Sequence, residues 1–421
     1  MRDDLSSAEL ARLKLAAGLL LEAETRVPVL KTLTWDRRIA EDFFASGATR
    51  LPEPDYPKLD FSGARDTIRS ARALLRGASP VHRWLQRFAD IADETTALLQ
   101  SLGTRQFFTH STRLYGAPQS LIADGRRTAL DLALRLDGLL ASFAAGAKRL
   151  EPPESLSAVE LKARLDKELP AHFGADVPRV EVAQNVSGKS ASGRDVIKLR
   201  ADALFSDVDV VQLLQHEALV HIATAKNGQA QPHFPILGES YPGNARTQEG
   251  LAVFAEFISG AVDPLRFKRL ADRVIAIQKS IDGADFIELY DFFLESNGGR
   301  KIDAFESARR IVRGGLVGGG APFTKDAVYL QGLLEVHNYL RTVVRSGDAS
   351  YIGLLFVGKI DLEDLEAMKM LRAAGLLIEP RHLPPWATDL RYLLSYLAYS
   401  TFLNEINLVD VAARYERLLR D

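Results

Sequence analysis

The chain has 421 residues, of which 47% are hydrophobic and 26% are charged, and its formal net charge is −2 at pH 7. These values are ordinary for a globular protein, and the small net charge gives no reason to expect nucleic acid or an anionic membrane as the main partner. The absence of cysteine excludes disulfides and thiolate metal ligands, so any metal must be bound by His, Asp or Glu.

The N-terminus predicts no targeting signal. Its first ten residues, MRDDLSSAEL, do not contain the basic segment followed by an apolar one that marks secretory signals. Apolar runs such as LAAGLLLEA are far shorter than a membrane span. We therefore expect a soluble cytoplasmic protein that has neither a membrane nor a nucleic acid as its partner.

Residues 1–150 are expected to form an N-terminal helical region. From Ala8 to about Leu150, apolar residues recur at three- and four-residue spacing, as in LARLKLAAGLLLEAE and VHRWLQRFADIADETTALLQSLG. The polar segment GATRLPEPDYPKLDFSG interrupts this pattern, and RLEPPESLSA, with Pro152 and Pro153, ends it. Breaks of this kind indicate loops between the helices of a layer that packs on another unit.

A small sheet is predicted between Arg179 and Ala201, where the hydrophobic period changes from helical spacing to strict alternation. The segments RVEVAQN and RDVIKLRA alternate, and VSGKSASG between them has the composition of a flexible turn. The pattern predicts an antiparallel β-hairpin whose loop is longer than the tightest types.

A helix that carries two histidines follows the predicted hairpin. Ser206 and Asp209 match a capping box, which predicts that this helix begins near Asp207. The helix contains QHEALVH, with His216 and His221 as its histidines. A pair of strands leading into such a helix is the arrangement of a zinc-peptidase core, because an edge strand beside the metal can bind an extended peptide.

Further helices are predicted up to the C-terminus. The loop KNGQAQPHFPILGESYPGNARTQ leads to the helix EGLAVFAEFISG, and helical patterns continue in PLRFKRLADRVIAIQKSI, DFIELYDFFLES and TKDAVYLQGLLEVHNYLRTVVRSG. We expect a metallopeptidase core at residues 151–349 and a C-terminal helical region at 350–421 that packs on it. The predicted fold class is mainly α with a small antiparallel β-sheet (α+β), a zincin-like core between two helical layers.

The two histidines are one residue further apart than in the H-E-x-x-H motif of most zinc peptidases. Each residue of an α-helix advances about 100°, so residues five apart differ by about 140°, which is too wide for two imidazoles to share one ion. A single-turn π-bulge at residues 218–220 would absorb the extra residue and return both side chains to one face. The sequence therefore predicts a distorted helix in which His216 and His221 bind Zn²⁺.

A catalytic zinc site needs a third protein ligand, and Glu249 is the candidate. It lies at the expected start of the helix that follows the loop, and this loop is able to fold back on the histidines. Gly250 beside it allows another backbone to approach closely. Glu256, two turns further along, is expected to orient one of the imidazoles.

The remaining candidate residues are assigned to catalysis or substrate binding. Glu217 is expected to act as the general base for a zinc-activated water. Tyr329 can donate a hydrogen bond to the developing oxyanion, although a packed core tyrosine fits the sequence equally well. If the enzyme removes C-terminal residues, a cation must bind the free carboxylate, and Arg310, Arg313 and Lys325 are the candidates.

The glycine-rich segment RGGLVGGGAPFTK superficially resembles a phosphate-binding loop. It lacks the spacing G-x-x-x-x-G-K-[ST] and follows no clear strand, so nucleotide binding is not predicted. A mobile lid or a tight wall of the cleft is expected instead.

Several of these segments together resemble one protein family. HEALVH, TQEGLAVFAEF and TKDAVYLQGLLEV, with ARRIVRGG before the last and STRLYGAP upstream, are similar to segments of the microtubule-associated tyrosine carboxypeptidase (MATCAP) family, whose bacterial relatives are called QEGLA-motif proteins. The resemblance covers roughly Leu30 to Gly358. It implies a mostly helical zinc carboxypeptidase with the same metal ligands and the same catalytic glutamate that the spacing indicates.

The family resemblance also implies a type of substrate. The animal members remove the C-terminal tyrosine of α-tubulin, so we expect hydrolysis of the C-terminal peptide bond of a protein or peptide, with preference for a terminal Tyr or Phe. Two alternatives remain open, namely a metal-binding regulatory protein without catalysis and a zinc endopeptidase. An endopeptidase would still cleave a substrate whose C-terminus is blocked as an amide, whereas a carboxypeptidase would not.

Overall fold

Helices account for most of the chain. The computed structural model describes residues 5–122, 124–147, 154–184, 186, 188–403 and 405. Helices and five short strands make up its regular structure in these residues, which confirms the predicted fold class of mainly α with a small β-sheet. Among the same residues, no helix combines the length and the apolar character that crossing a membrane requires.

Seven helices form the N-terminal part of the chain as far as the structure describes it, and the expected polar break separates the third from the fourth. They are α1 (Ser7–Thr25), α2 (Val29–Thr32), α3 (Arg37–Ala45), α4 (Ser62–Leu74), α5 (Pro80–Gln100), α6 (Arg105–Tyr115) and α7 (Ala129–Ala147). Leu98 of α5 and Phe107 of α6 share a hydrophobic cluster with Leu251, two residues after Glu249. The N-terminal helices therefore support the part of the chain that carries the predicted third ligand.

The division of the chain into three regions remains a prediction. The boundary expected at residues 150 and 151, with the break at Pro152 and Pro153, falls on residues 148–153, which lie outside the described residues. In the expected C-terminal region, residues 404 and 406–421 also lie outside the described residues.

In the described residues, five short strands and one α-helix lie between α7 and the histidine helix. They are β1 (Leu156–Ser157), α8 (Ala158–Phe173), β2 (Arg179–Ala183), β3 (Ser190–Ser192), β4 (Val196–Arg200) and β5 (Leu204–Phe205). β1 pairs antiparallel with β5, and the other three strands form a sheet in the order β2-β4-β3. The side chains of Val180, Ile197 and Leu199 on one face of this sheet pack against α8 in a shared hydrophobic cluster.

The predicted hairpin between residues 179–185 and 194–201 is wrong. β2 and β4 pair in parallel, with Arg179 opposite Val196. The segment expected to be only a turn contains β3, which pairs antiparallel with β4 and forms the hairpin itself. Alternating hydrophobicity shows that one face of a strand is buried, but it is the same for either direction of pairing. As a result, an edge strand lies where the sequence suggested a loop.

One long helix in three parts follows β5. The parts are α9 (Asp207–Leu213), a π-helical segment (Leu214–Ile222) and α10 (Ala223–Gln229). The predicted capping box is confirmed, since the Asp209 N–H donates to Ser206 Oγ at 3.2 Å and the Ser206 N–H donates to the Asp209 carboxylate at 2.7 Å. The predicted distortion at residues 218–220 is also confirmed, and the π-helical segment is longer than a single bulge.

In the rest of the described chain the regular structure is helical. Its helices are α11 (Pro242–Ile258), α12 (Pro264–Ile281), α13 (Phe286–Ser296), α14 (Lys301–Val312), α15 (Val328–Ser346), α16 (Ser350–Leu354), α17 (Leu365–Ala373), α18 (Pro385–Thr388) and α19 (Leu390–Leu403). The expectation that Glu249 starts its helix is wrong, because α11 begins at Pro242. The polar residues before Glu249 suggested a loop, but Asn244 caps the helix by accepting a hydrogen bond from the Tyr241 N–H at 3.2 Å.

The glycine-rich segment between α14 and α15 is a close-packed connection. Gly315 lies so near the Ala321 carbonyl that a Cβ on it would be 1.9 Å from that oxygen. The Gly314 N–H donates to the Tyr56 hydroxyl at 2.7 Å, and the Gly320 N–H donates to the Ser280 carbonyl at 2.6 Å. Residues 313–324 line neither cavity at the candidate site, so the only part of the expected lid or cleft wall found in this described segment is Lys325, which lines one of them.

Candidate metal centre

The π-helical segment brings His216 and His221 to one face. Their ring centroids are 4.8 Å apart, and the ring planes are nearly perpendicular, at 84°. On a regular α-helix the two side chains would point about 140° apart, and the wider π-helical turn removes most of that angle. The backbone distortion is therefore what allows the two imidazoles to converge.

Glu249 completes a group of three possible metal ligands. From within α11, its Oε2 lies 3.6 Å from Nε2 of His216 and 3.5 Å from Nε2 of His221. Ligands about 2.0–2.1 Å from a tetrahedral zinc ion are separated by roughly 3.3 Å, so these distances fit such an ion with little adjustment. In the part of the chain that the structure describes, no other cluster of His, Asp and Glu brings three ligand atoms this close.

Glu256 and Arg266 fix the orientation of His216. Oε1 of Glu256 lies 2.6 Å from Nδ1 of His216, and Arg266 donates two hydrogen bonds to the same carboxylate, at 2.7 and 2.8 Å. Burial raises the pKa of Glu256, but the Arg266 guanidinium and His216 outweigh it and lower the pKa to about 2. Because the ionised carboxylate can only accept, Nδ1 of His216 donates to it. Nε2 of His216 is the nitrogen that faces Glu249, as the expected orienting role of Glu256 requires.

The electrostatics of the three groups favour a cation between them. Burial raises the pKa of Glu249, but the Lys325 ammonium and the two histidines lower it well below its usual range. Burial lowers the pKa of His221. Burial also acts to lower the pKa of His216, yet the carboxylates of Glu249 and Glu256 raise it to about 10. An ionised carboxylate thus faces two imidazoles in a buried site, where a positive charge is strongly stabilised.

Glu217 faces the edge strand β3. The hydroxyl of Ser190 on this strand donates to Oε1 of Glu217 at 3.3 Å. Glu217 is only 8% exposed, and it borders a cavity beside the ligand group. Its carboxylate is therefore held next to His216 and can accept a proton from a molecule in that cavity.

The larger of two cavities at the ligand group has a volume of about 620 Å³ and contains His216 and Glu217 in its wall. One side of it is formed by α12, which contributes Arg269 and Arg273, and Arg310 of α14 also lines it. We call it the arginine cavity. It offers cationic groups within the same space as the predicted general base.

The smaller cavity, of about 500 Å³, contains His221 and Glu249 in its wall. Lys325 and Lys359 line it, and we call it the lysine cavity. Burial lowers the pKa of Lys359 to about 8, although the nearby carboxylates, Glu249 first among them, oppose that effect. Both cavities therefore meet at the group of possible ligands.

The three cations predicted to bind a substrate carboxylate each have another contact in the protein. Asp326 binds the guanidinium of Arg310 through two hydrogen bonds, at 2.6 and 2.8 Å. Lys325 donates to Oε1 of Glu249 at 2.9 Å. Arg313 is buried beneath an aromatic ring and lines neither cavity. Their role in substrate binding remains a prediction.

Tyr329 lies in the wall of the arginine cavity. Its ring contacts two cations, with the Arg273 guanidinium 4.7 Å and the Lys325 ammonium 5.3 Å from the ring centroid. Its hydroxyl accepts a long hydrogen bond from Arg310, at 3.4 Å. The hydroxyl hydrogen is thus available to a second acceptor, and the side chain is both packed and adjacent to the predicted reaction site.

Sequence reasoning missed a set of three arginines and one lysine that border the candidate site. Arg266, Arg269 and Arg273 recur at three- and four-residue intervals in PLRFKRLADRV, a spacing that places them on one face of α12. The spacing of the arginines could be read from the sequence, but it did not predict that this face of the helix borders the cavity. Lys359 follows Gly358 in a turn after α16, and no pattern in the sequence marks it.

The comparison with known families gives a direct assignment. The family model described as microtubule-associated tyrosine carboxypeptidase matches residues 41–405, nearly the full chain. The chain therefore belongs to this family of carboxypeptidases, and the resemblance found in its motifs is confirmed. No curated protein matches the chain.

Proposed function

We propose that this member of the microtubule-associated tyrosine carboxypeptidase family is a zinc-dependent peptidase. It hydrolyses the C-terminal peptide bond of a protein or peptide and prefers a terminal Tyr or Phe. The observation that supports this most directly is the convergence of Nε2 of His216, Nε2 of His221 and Oε2 of Glu249 beside Glu217, where the two cavities meet.

The donor set supports zinc as the metal. Two imidazoles and one carboxylate, with room left for water or substrate, match the ligands of catalytic zinc sites. Bound there, zinc would supply a Lewis acid that polarises the scissile carbonyl and brings the pKa of a water molecule toward ~7. Glu256 orients His216, and Lys325 binds Oε1 of Glu249 so that Oε2 remains turned to the histidines.

Glu217 is the proposed general base. Its carboxylate accepts the proton of the attacking water and then transfers it to the nitrogen of the departing residue. The Ser190 hydroxyl holds one carboxylate oxygen, which leaves the other free for the proton. In this proposal the Tyr329 hydroxyl donates to the oxygen of the attacked carbonyl as negative charge develops on it.

The edge strand β3 is the proposed binding surface for the substrate backbone. In the described sheet, β3 pairs with β4 alone, so its outer edge can add a further strand. A peptide that extends the sheet at this edge lies beside Glu217, because Ser190 of the same strand contacts that carboxylate.

The arginine cavity supports the preference for an aromatic terminal residue. Among the residues that line it are five apolar side chains, Phe205, Val208, Leu213, Leu265 and Phe293. Burying an aromatic side chain against such a wall contributes about 2 kcal/mol. The polar groups of the same cavity leave a place for the hydroxyl of a terminal tyrosine.

The decisive experiment measures the metal content and the hydrolysis of peptides that end in Tyr or Phe. We expect about one zinc ion per chain and release of the terminal residue. Glu217→Gln should keep the zinc and lower kcat by about 10²–10⁴-fold. Glu335→Gln, which changes a partly buried carboxylate that pairs with Arg246 and lines neither cavity, is the matched control and should remain active. Hydrolysis unchanged in Glu217→Gln, or purified protein that binds no zinc, would refute the proposal.

A further inference from the structure

Among the described residues, one cation in the wall of the arginine cavity differs from the others in having no ion-pair partner. Its other lysines and arginines each lie 3.7 Å or less from a carboxylate, as Arg266 does from Glu256 and Arg273 from Asp326. Arg269 lies between these two on α12, and within the described residues it has no hydrogen bond and no ion pair. Its side chain is exposed, and the cavity is the space it borders.

The surroundings of Arg269 favour an incoming anion. Loss of hydration in the cavity and the guanidinium groups of Arg266 and Arg273 lower its pKa to about 10, while Asp263 acts in the opposite direction. Arg269 therefore remains charged near neutral pH among other cations. A carboxylate that binds there relieves the repulsion, and the planar guanidinium can form two parallel hydrogen bonds with it.

The direction of β3 gives a second, independent observation. Ser190, at its start, lines the arginine cavity, and Ser192, at its end, lines the lysine cavity. A peptide that pairs antiparallel with β3 runs from the lysine cavity to the arginine cavity. Its carboxyl end then lies on the side of Arg269 and Glu217.

The lysine cavity is the other place where a carboxylate could bind, because Lys359 is 9% exposed and has no ion pair or hydrogen bond for its ammonium within the described residues. The carboxylates around Lys359, however, disfavour the binding of a further carboxylate there. Glu249, Glu217 and Glu239 already act on Lys359. Glu239 is itself in the wall of this cavity, and its carboxylate would repel a further one. The arginine cavity also contains carboxylates, but Glu154, Asp272 and Asp303 among them pair with its other cations. Together with the direction of β3, the absence of such a pair at Arg269 in the described residues favours the arginine cavity for the substrate's terminal charge.

We infer that the arginine cavity binds the C-terminal residue of the substrate and that Arg269 binds its α-carboxylate. This inference rests on the proposed carboxypeptidase function, and it makes Arg269 the residue that distinguishes a chain end from an internal peptide bond. Arg310, predicted from the sequence, instead holds Asp326 in the wall.

The test compares a short peptide ending in Tyr as the free acid with the same peptide as the C-terminal amide. Wild-type protein should prefer the acid. Arg269→Gln should lower kcat/KM for the acid between about 10- and 100-fold and leave the amide nearly unchanged, so that the preference disappears. Arg269→Lys should recover part of it, because lysine keeps the charge without the paired donors.

Arg135→Gln is the matched control, because Arg135 is also an exposed arginine without a partner among the described residues but lines neither cavity. It should behave as the wild type. If Arg269→Gln keeps the preference for the acid, the assignment is overturned. If Lys359→Gln abolishes the preference instead, the substrate lies in the opposite direction and the assignment is equally overturned.

Binding measurements separate this inference from the proposed function. The two peptides are titrated into zinc-loaded Glu217→Gln protein, with and without Arg269→Gln, by calorimetry. Tighter binding of the acid that depends on Arg269 supports the inference even if wild-type protein hydrolyses neither peptide, which would refute the peptidase alone. Equal binding of acid and amide refutes the anchor even if hydrolysis occurs.

Discussion

Gly250 and Gly332 pack backbone against backbone where α11 crosses α15. A Cβ built on Gly250 would lie 2.1 Å from the carbonyl carbon of Gly332, and one built on Gly332 would lie 2.0 Å from the carbonyl oxygen of Arg246. Only glycine permits the helices to approach this closely. Since Glu249 immediately precedes Gly250, the crossing sets the position of the third possible ligand relative to the histidines.

The first prediction concerns this crossing. Gly250→Ala must push α11 and α15 apart, which costs roughly 1–3 kcal/mol through overpacking and moves Glu249. We expect a lower melting temperature and at least about a tenfold loss of zinc affinity, measured by thermal unfolding and by competition with a chelator. Gly18→Ala in α1 is the control, because its methyl group meets open space. It should stabilise the protein slightly or not at all, and equal losses in both variants would contradict the prediction.

Much of the candidate site could be predicted from local sequence spacing. A separation of five positions from His216 to His221 requires a distorted helix on geometric grounds, and the π-helical segment is that distortion. The closeness of Glu249 to both imidazoles and the contact of Glu256 with His216 also agree with the prediction, since a helix fixes which of its side chains share a face.

The errors concern relations between distant elements. Parallel pairing of β2 with β4 leaves the same alternating pattern as a hairpin, and the short strand β3 has a turn-like composition. Arg269 and Lys359 gain their significance from the cavities that they border, and those cavities form only when separate segments pack together. Local periodicity contains no information about such packing.

The second prediction separates the roles of Glu256 and Arg266. Glu256→Gln keeps the shape of the side chain but removes the ionised acceptor that fixes the His216 ring. Zinc affinity should therefore fall by about 10- to 100-fold. Arg266→Met leaves the carboxylate in place for His216 and should lower zinc affinity much less. Competition titrations measure both values. Equal losses in the two variants would show that the carboxylate acts only as a partner for the buried arginine.

The third prediction concerns removal of the metal. Because the three proposed ligands come together only in the folded chain, free zinc at about 100 times its Kd should stabilise the protein by roughly 2.7 kcal/mol, and a chelator should reverse the effect. Differential scanning calorimetry with and without zinc measures this. His221→Ala should abolish the shift, whereas His110→Ala, which removes a histidine paired with Glu94, should keep it. A shift of the same size in His221→Ala would rule out His221 as a ligand.

The fourth prediction concerns Glu24, a carboxyl group in the wall of the lysine cavity. Burial, assisted by the charge of Glu239, raises its pKa from 4.5 to about 8. The folded protein therefore holds this proton to a higher pH than the unfolded chain does, and its contribution to stability is lost as pH rises from about 4.5 through about 8. The loss is on the order of 3 kcal/mol once the site relaxes around the charge.

Glu24→Gln cannot ionise, so its melting temperature relative to wild type should rise between about pH 5.5 and about pH 8.5. Thermal unfolding of both proteins across this range measures the difference. Glu22→Gln is the control, because Glu22 is an exposed partner of Arg26 on the same helix, and its difference from wild type should be the same at both ends of the range. A constant difference for Glu24→Gln as well would mean that Glu24 is already ionised in the folded protein, with water or a cation in the lysine cavity compensating its charge.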